Sequence, residues 1–367
     1  MATFPEGGSI KGNSRMPHSI LLDGLRGFAA LYVLAGHLLI AADILPKGKF
    51  DLPFRFGQEA VIVFFVLSGF VIERSHSARK DKSFSSYLKS RAFRIFPLYL
   101  LALFLAGLSH GFPHNPASPL WGNVLMLQDV GFVKPGVTIG TYAGNLALWS
   151  LSYEWWFYMG YFCILGLVPK QNSQAATVGC LSIFAAVIYL LHPNQVCLWL
   201  AYFTIWWGGV ELARFRAGAG TTSKRHLLVN TFAICAVFLL FALETYLLKR
   251  GGRAIGFGLF PILMLRHFGM ALLLVGFGTL ATRSALTKAN SLLAPLAFFA
   301  PFSYAIYVLQ FPVVLSDYSL LGGRLPYLNL VLKVVILLVA SAVLGSTLLN
   351  FVRPRLFKRK IDLRQPA

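Results

Sequence analysis

The chain has 367 residues, 57% hydrophobic and only 13% charged, with 32 Phe and 7 Trp and a mean hydropathy of +0.67. Charged residues supply about a quarter of an ordinary soluble domain, so this composition excludes one, and repeated apolar runs of about 20 residues make the chain an all-α, polytopic helical membrane protein. The formal net charge of +20 does not point to nucleic acid, because the basic residues sit between apolar runs, where topology places them.

Taken in order, the apolar runs predict ten spans, at 20–42, 57–73, 92–110, 145–168, 174–192, 195–213, 227–248, 257–281, 292–316 and 327–352. The polar leader over 1–19 is not read as a cleavable signal, since the run behind it is too long and contains Arg26 and His37. With the N-terminus inside, 22 of the 33 Lys and Arg fall in inside loops and tails, eight fall in outside loops, and Arg26, Arg266 and Lys333 lie within spans. Both termini are therefore predicted to be cytoplasmic. The domain reading is a cytoplasmic leader (1–19), an integral-membrane domain (20–352) and a basic cytoplasmic tail (353–367), with no soluble domain expected after the last span. Arg353, Arg355, Lys358, Arg359, Lys360 and Arg364 would hold that tail on anionic lipid.

The first span carries the stretch Asp23-Gly24-Leu25-Arg26-Gly27, followed by His37. Eleven residues at about 100° each bring Arg26 and His37 to nearly the same helix face, about 16 Å apart along the axis. Ionisable groups inside a span are costly and face a bundle interior or a wet cavity. Arg26 and His37 thus read either as a packed polar pair or as a cation with a general base, the histidine being suited by its near-neutral pKa. Asp23 would hold Arg26 or cap the helix start.

The next loop, 73–94, is the most basic, and Arg91 and Arg94 share a helix face at its end. Topology alone explains such residues, while Lys80, Lys82 and Lys89 beside them would equally hold phosphates. The outside segment 111–143 contains an apolar patch, Leu120 to Leu127, too short to span and read as interfacial or re-entrant. In the following span Ser150, Glu154 and Tyr158 share a face at fourfold spacing. The aromatic excess around them fits an interfacial belt, but a carboxylate at this depth needs a partner. Further along, a structural Glu244–Arg266 pair is expected, and Glu211 and Lys333 read as snorkelling near span ends. Cys163, Cys180, Cys197 and Cys235 lie in apolar runs without metal-ligand spacing, so neither a disulfide framework nor a metal site is expected.

Five motifs in order carry a resemblance: Arg26 with His37; Phe64-Phe65-Val66-Leu67-Ser68-Gly69-Phe70; Arg91 with Arg94; Trp149-Ser150-Leu151-Ser152-Tyr153-Glu154; and Ser303-Tyr304-Ala305-Ile306-Tyr307-Val308-Leu309-Gln310-Phe311-Pro312. Together, over essentially the whole chain, they resemble the integral-membrane acyltransferase-3 family. The resemblance implies an O-acyltransferase moving acetyl from acetyl-CoA, as co-substrate and not as a bound cofactor, to a hydroxyl of an extracytoplasmic carbohydrate or lipid-linked glycan. The functional roles pass to Arg26 and His37, and donor binding to Arg91 and Arg94. Relatives often have histidine where this chain has Gln310, so that position is assigned no acid–base work here.

On this reading His37 is the base, Glu154 orients or charges its imidazole, and Arg26 binds the donor or stabilises developing negative charge. Ser150, Ser152, Tyr158 and Tyr304 are supporting candidates, with Tyr304 and Tyr307 lining the cavity or simply packing. Direct transfer and an acyl-histidine both remain open. The expected home is a bacterial inner membrane, with membrane lipids as partners. The rival reading is a transporter or flippase using Arg26, His37 and Glu154 as a relay without covalent chemistry; against it, the chain shows no internal repeat.

Overall fold

A computed structural model describes residues 17–41, 52–111, 117–218, 220–315, 320–321 and 325–348. The leader up to residue 16 and the basic tail lie outside the described residues. The chain forms α1 (Pro17–Ala41), α2 (Gly57–Ser77), α3 (Phe84–His110), α4 (Ala117–Val124), α5 (Trp149–Leu167), α6 (Gln171–Leu191), α7 (Gln195–Arg216), α8 (Gly220–Arg250), α9 (Ile262–Leu280), α10 (Arg283–Leu293), α11 (Ser303–Val314) and α12 (Pro326–Thr347). Among the described residues the one β-type contact is an isolated bridge between Asp129 and Gly140.

Each of the ten expected spans coincides with a helix or helical stretch, so the protein is an all-α integral membrane protein. Nine helical stretches among the described residues are long and apolar enough to cross a membrane. The tenth, α5, has 19 residues but carries Glu154, two serines and three tyrosines among its aromatics, which keeps its hydropathy low. The span expected at 292–316 is broken: α10, a 3₁₀ stretch Ala294–Phe302 and α11 follow one another. Pro295 and Pro301 explain the break, because proline lacks the amide hydrogen that an α-turn needs.

Side-chain caps mark several starts. Ser83 accepts from the Ser86 amide at 3.4 Å, Asn194 from Cys197 at 2.9 Å and Thr282 from Ala285 at 3.2 Å. At the centre α2 crosses α7, whose residues are buried nearly all round by neighbouring helices. A Cβ on Gly209 would lie 2.0 Å from the Val66 carbonyl, and one on Gly69 would lie 2.0 Å from the Trp206 carbonyl. Two glycines facing opposite backbones therefore let α2 and α7 touch directly, as small residues do in membrane bundles. Gly24 and Gly27 bring α1 equally close to Leu293 and Leu296, at the broken span.

The segment 117–143 is neither a span nor a free loop. After α4 it turns back against α5, and Lys134 enters the protein fully buried. Its ammonium donates to Asp129 Oδ1 at 2.8 Å and lies 3.7 Å from the Trp149 ring centre, while Tyr153 donates to Asp129 Oδ2 at 2.6 Å. Burial pulls the Lys134 ammonium below the ordinary lysine range, with the Asp129 carboxylate opposing.

Gly209→Val forces α2 and α7 apart and is expected to cost about 1–3 kcal/mol or more, read as a lowered thermal midpoint in detergent. Gly166→Ala, where a Cβ meets nothing within 4 Å, leaves the midpoint unchanged.

Candidate functional site

Five helices converge on one cavity. α1 supplies Arg26, α2 supplies Ser68, α3 supplies Arg91 and Arg94, α5 supplies Ser150, Glu154 and Tyr158, and the short α11 adds Tyr304 and Tyr307. The chamber has a volume of about 60 Å³, its remaining wall made of apolar residues such as Val61, Phe64 and Ile72. A second chamber of about 340 Å³ shares Arg26, Arg91, Arg94 and Tyr304 with it and extends past Arg79 and Ser90 to Gly345 of α12 and Leu348 just after it. The arginines thus stand where the two chambers meet. Arg94 has exposed surface because both spaces open onto it.

Glu154 anchors the inner polar network. Ser68 Oγ donates to its Oε1 at 3.0 Å, Tyr158 Oη donates to the same oxygen, and Ser68 and Tyr158 hydroxyls lie 3.2 Å apart. The charges of Arg94, Asp23 and Glu154 all act on Arg26, and that of Glu154 acts on Arg94. Arg91 lies 5.7 Å from both the Tyr87 and Tyr158 ring centres, a cation–π setting. Tyr304 donates to the Ile95 carbonyl at 2.8 Å, and Ser150 and Tyr307 hydroxyls meet at 2.9 Å, which ties α11 to α3 and α5.

His37 stands apart from these chambers, toward the other end of α1. Its Nδ1 lies 3.1 Å from Gln310 Oε1, and its ring meets Phe311 edge-on at 5.1 Å. Gln310 is fully buried, and its Nε2 donates to the Tyr307 carbonyl at 3.0 Å. That bond orients the carboxamide with its oxygen toward His37, so Nδ1 carries the proton and Nε2 keeps a free lone pair. Glu154 does not orient the imidazole, contrary to expectation: its carboxylate is held by Ser68 and Tyr158, and Gln310 holds the histidine.

Other expectations are corrected in the same way. Arg266 pairs not with Glu244 but with Glu59 at 2.5 Å, donates to the Phe257 and Arg55 carbonyls, and lies 3.7 Å from the Phe257 ring centre. Glu211 does not snorkel; it is buried beside Trp207 and Arg214, and Arg214 also binds Glu73 at 3.0 Å. Ser152 bonds the Trp149 carbonyl at 2.8 Å and lines neither chamber. Asp23 lies in the second turn of α1, so it is no cap, and its charge acts on Arg26. Ser68 and Arg79 received no role of their own from sequence, and Tyr307 was expected to line the cavity or to pack; it lines the first chamber. A lone serine in an apolar run and a loop arginine among lysines carry no signal of their own.

Residues 20–350 match the acyltransferase-3 family, described as an acyltransferase domain. The chain belongs to this family. Among characterised proteins it is 33% identical over 177 residues to acyltransferase MdmB of Streptomyces mycarofaciens, a match covering 46% of this chain and 44% of that protein. It is 36% identical over 89 residues to Protein 2 in picA locus of Rhizobium radiobacter, covering 23% of this chain and 42% of that protein. The chain thus spans less than half the length of the curated relatives it matches. No solved structure matches. Family membership gives the two chambers and the His37–Gln310 pair their context: they lie inside an acyltransferase domain.

Breaking the Glu59–Arg266 pair strands a buried carboxylate. Arg266→Met is expected to destabilise by about 3–5 kcal/mol, and the double variant Glu59→Leu/Arg266→Met by distinctly less, measured by thermal unfolding in detergent.

Proposed function

We propose that the protein is a membrane O-acyltransferase that moves an acetyl group from acetyl-CoA to a hydroxyl of an extracytoplasmic glycan or glycolipid. One observation carries this reading: arginine-lined chambers and a histidine whose Nδ1 is held by a carboxamide are joined through one short helix, α11, by Tyr307 and Gln310. With the 78–83 connection on the cytoplasmic side, as the charge distribution favours, Arg91 and Arg94 meet the donor where acyl-CoA is made. A bacterial inner membrane is the proposed location, since the relatives above come from bacteria.

In this scheme the thioester arm passes the arginines toward the outer half of the bundle. Tyr307, on the chamber wall, lies one turn of α11, about 5 Å of helix rise, before Gln310, the residue that holds the base. His37 Nε2 takes the proton of the acceptor hydroxyl as its oxygen attacks the thioester carbonyl. The carbon–sulfur bond then breaks and CoA leaves as thiolate, which is protonated in turn. Arg26 and Arg94 lie nearest the donor side, where cations stabilise negative charge on phosphate, thiolate or oxyanion. Glu154 holds Ser68 and Tyr158 in place and offsets the charge of these arginines.

The transporter reading rests on the same intramembrane ionisable residues, but the match to an acyltransferase domain over 20–350 favours covalent chemistry.

The test uses purified protein in nanodiscs with radiolabelled acetyl-CoA, following CoA release. His37→Ala is expected to lower turnover by about 10²-fold or more with unchanged thermal unfolding, and Arg94→Ala to weaken donor use. Full activity in folded His37→Ala would overturn the base assignment. Gln310→Leu is expected to lower kcat about 10-fold while leaving KM for acetyl-CoA within twofold, and Gln310→Glu, which still accepts from Nδ1–H, to retain more activity than the leucine variant.

A further inference from the structure

The larger chamber has an unusual charge balance. Four guanidinium groups line it, from Arg26, Arg79, Arg91 and Arg94, and among the described residues no carboxylate does. Unbalanced cations facing one space repel each other, and an anionic ligand removes that repulsion. The rest of the wall is apolar, with Phe93, Leu98, Pro301 and Leu348, which suits an uncharged arm between a phosphate end and a reacting end.

Arg79 lies outside the family motifs, in the connection between α2 and α3. Its Nη2 donates to Ser90 Oγ at 2.9 Å, and Arg91 Nε donates to the same hydroxyl at 3.1 Å. One hydroxyl on the first turns of α3 thus fixes two guanidinium groups side by side. Paired planar donors of this kind recognise phosphate oxygens bidentately. Asp81, an acid near Arg79 in the chain, does not line the chamber: its carboxylate accepts from the Ser83 amide at 2.9 Å, a bond that holds it below the usual carboxylate range. Arg94 stands nearly one turn further along α3 than Arg91, and the charge of Glu154 acts on it and on Arg26.

We propose that Arg79, paired with Arg91 through Ser90, forms a subsite for the phosphorylated nucleotide end of the donor, separate from Arg26 and Arg94, which serve the thioester end. This rests on the acyl-CoA reading above and divides the arginines by task. Arg79 then contributes to donor binding and not to the acyl-transfer step.

The experiment compares two donors on wild type and Arg79→Ala in nanodiscs: acetyl-CoA, and S-acetyl-pantetheine, which carries the same thioester arm without the nucleotide. Arg79→Ala is expected to raise KM for acetyl-CoA about 10- to 100-fold, the loss of one charge-assisted contact. It is expected to leave kcat, and both constants for S-acetyl-pantetheine, within twofold. Adenosine 3′,5′-bisphosphate should compete with acetyl-CoA in wild type and lose that competition in the variant. Arg79→Gln, which keeps a donor for Ser90, is the second variant where alanine disturbs packing, and the same pattern is expected of it. An equal loss on both donors, or no loss on either, with turnover intact in wild type, overturns the subsite alone. Wild-type protein that neither turns over acetyl-CoA nor binds the bisphosphate overturns the acyl-CoA reading and the subsite together.

Discussion

A cation placed inside an apolar bundle has to be held by oxygen, by an aromatic face or by water, because the surrounding hydrocarbon offers it nothing. Most of this structure's polar architecture follows from that constraint. Arg214 is enclosed by Glu73, Glu211 and Gln174; Arg266 by Glu59, two carbonyls and two aromatic rings; Lys134 by Asp129 and the Trp149 face. Each of these charges is consumed by its neighbours and joins separate helices.

The arginines of the two chambers break that pattern. Arg26, Arg79, Arg91 and Arg94 border open space, and among the described residues lining the two chambers Glu154, on the wall of the smaller one, is the one carboxylate. Cations held in ion pairs and cations that border open space are thus distinguished by what they face, and the difference is invisible in residue type. The fold supports the open arrangement through close backbone contact elsewhere. Gly69 and Gly209 lock α2 on α7, and Gly24 and Gly27 seat α1 on the broken span, so the helices carrying Arg26 and Ser68 are held without filling the cavity.

The same economy operates at His37. A carboxamide is neutral, so it orients the imidazole without adding a buried charge, and its own orientation is set by the Tyr307 carbonyl. Tyr307 in turn reaches Ser150. One short helix, α11, therefore links the histidine to the chamber wall, and the prolines that interrupt the preceding span set where that helix begins.

Composition and hydropathy by themselves determined the class of protein and the ten spans, because burial in a bilayer demands long apolar runs that no other environment requires. Helical spacing placed Ser150, Glu154 and Tyr158 on one face, and motif order pointed to the family. Pairing was another matter. Glu154 binds Ser68, which lies 86 residues away, and His37 binds Gln310, 273 residues away. Arg266 chose Glu59 over Glu244. Such partners are set by which helices become neighbours and how each is rotated, and one sequence read span by span holds no information about either. Local periodicity decides the face a residue occupies; only the packing of the bundle decides what that face meets.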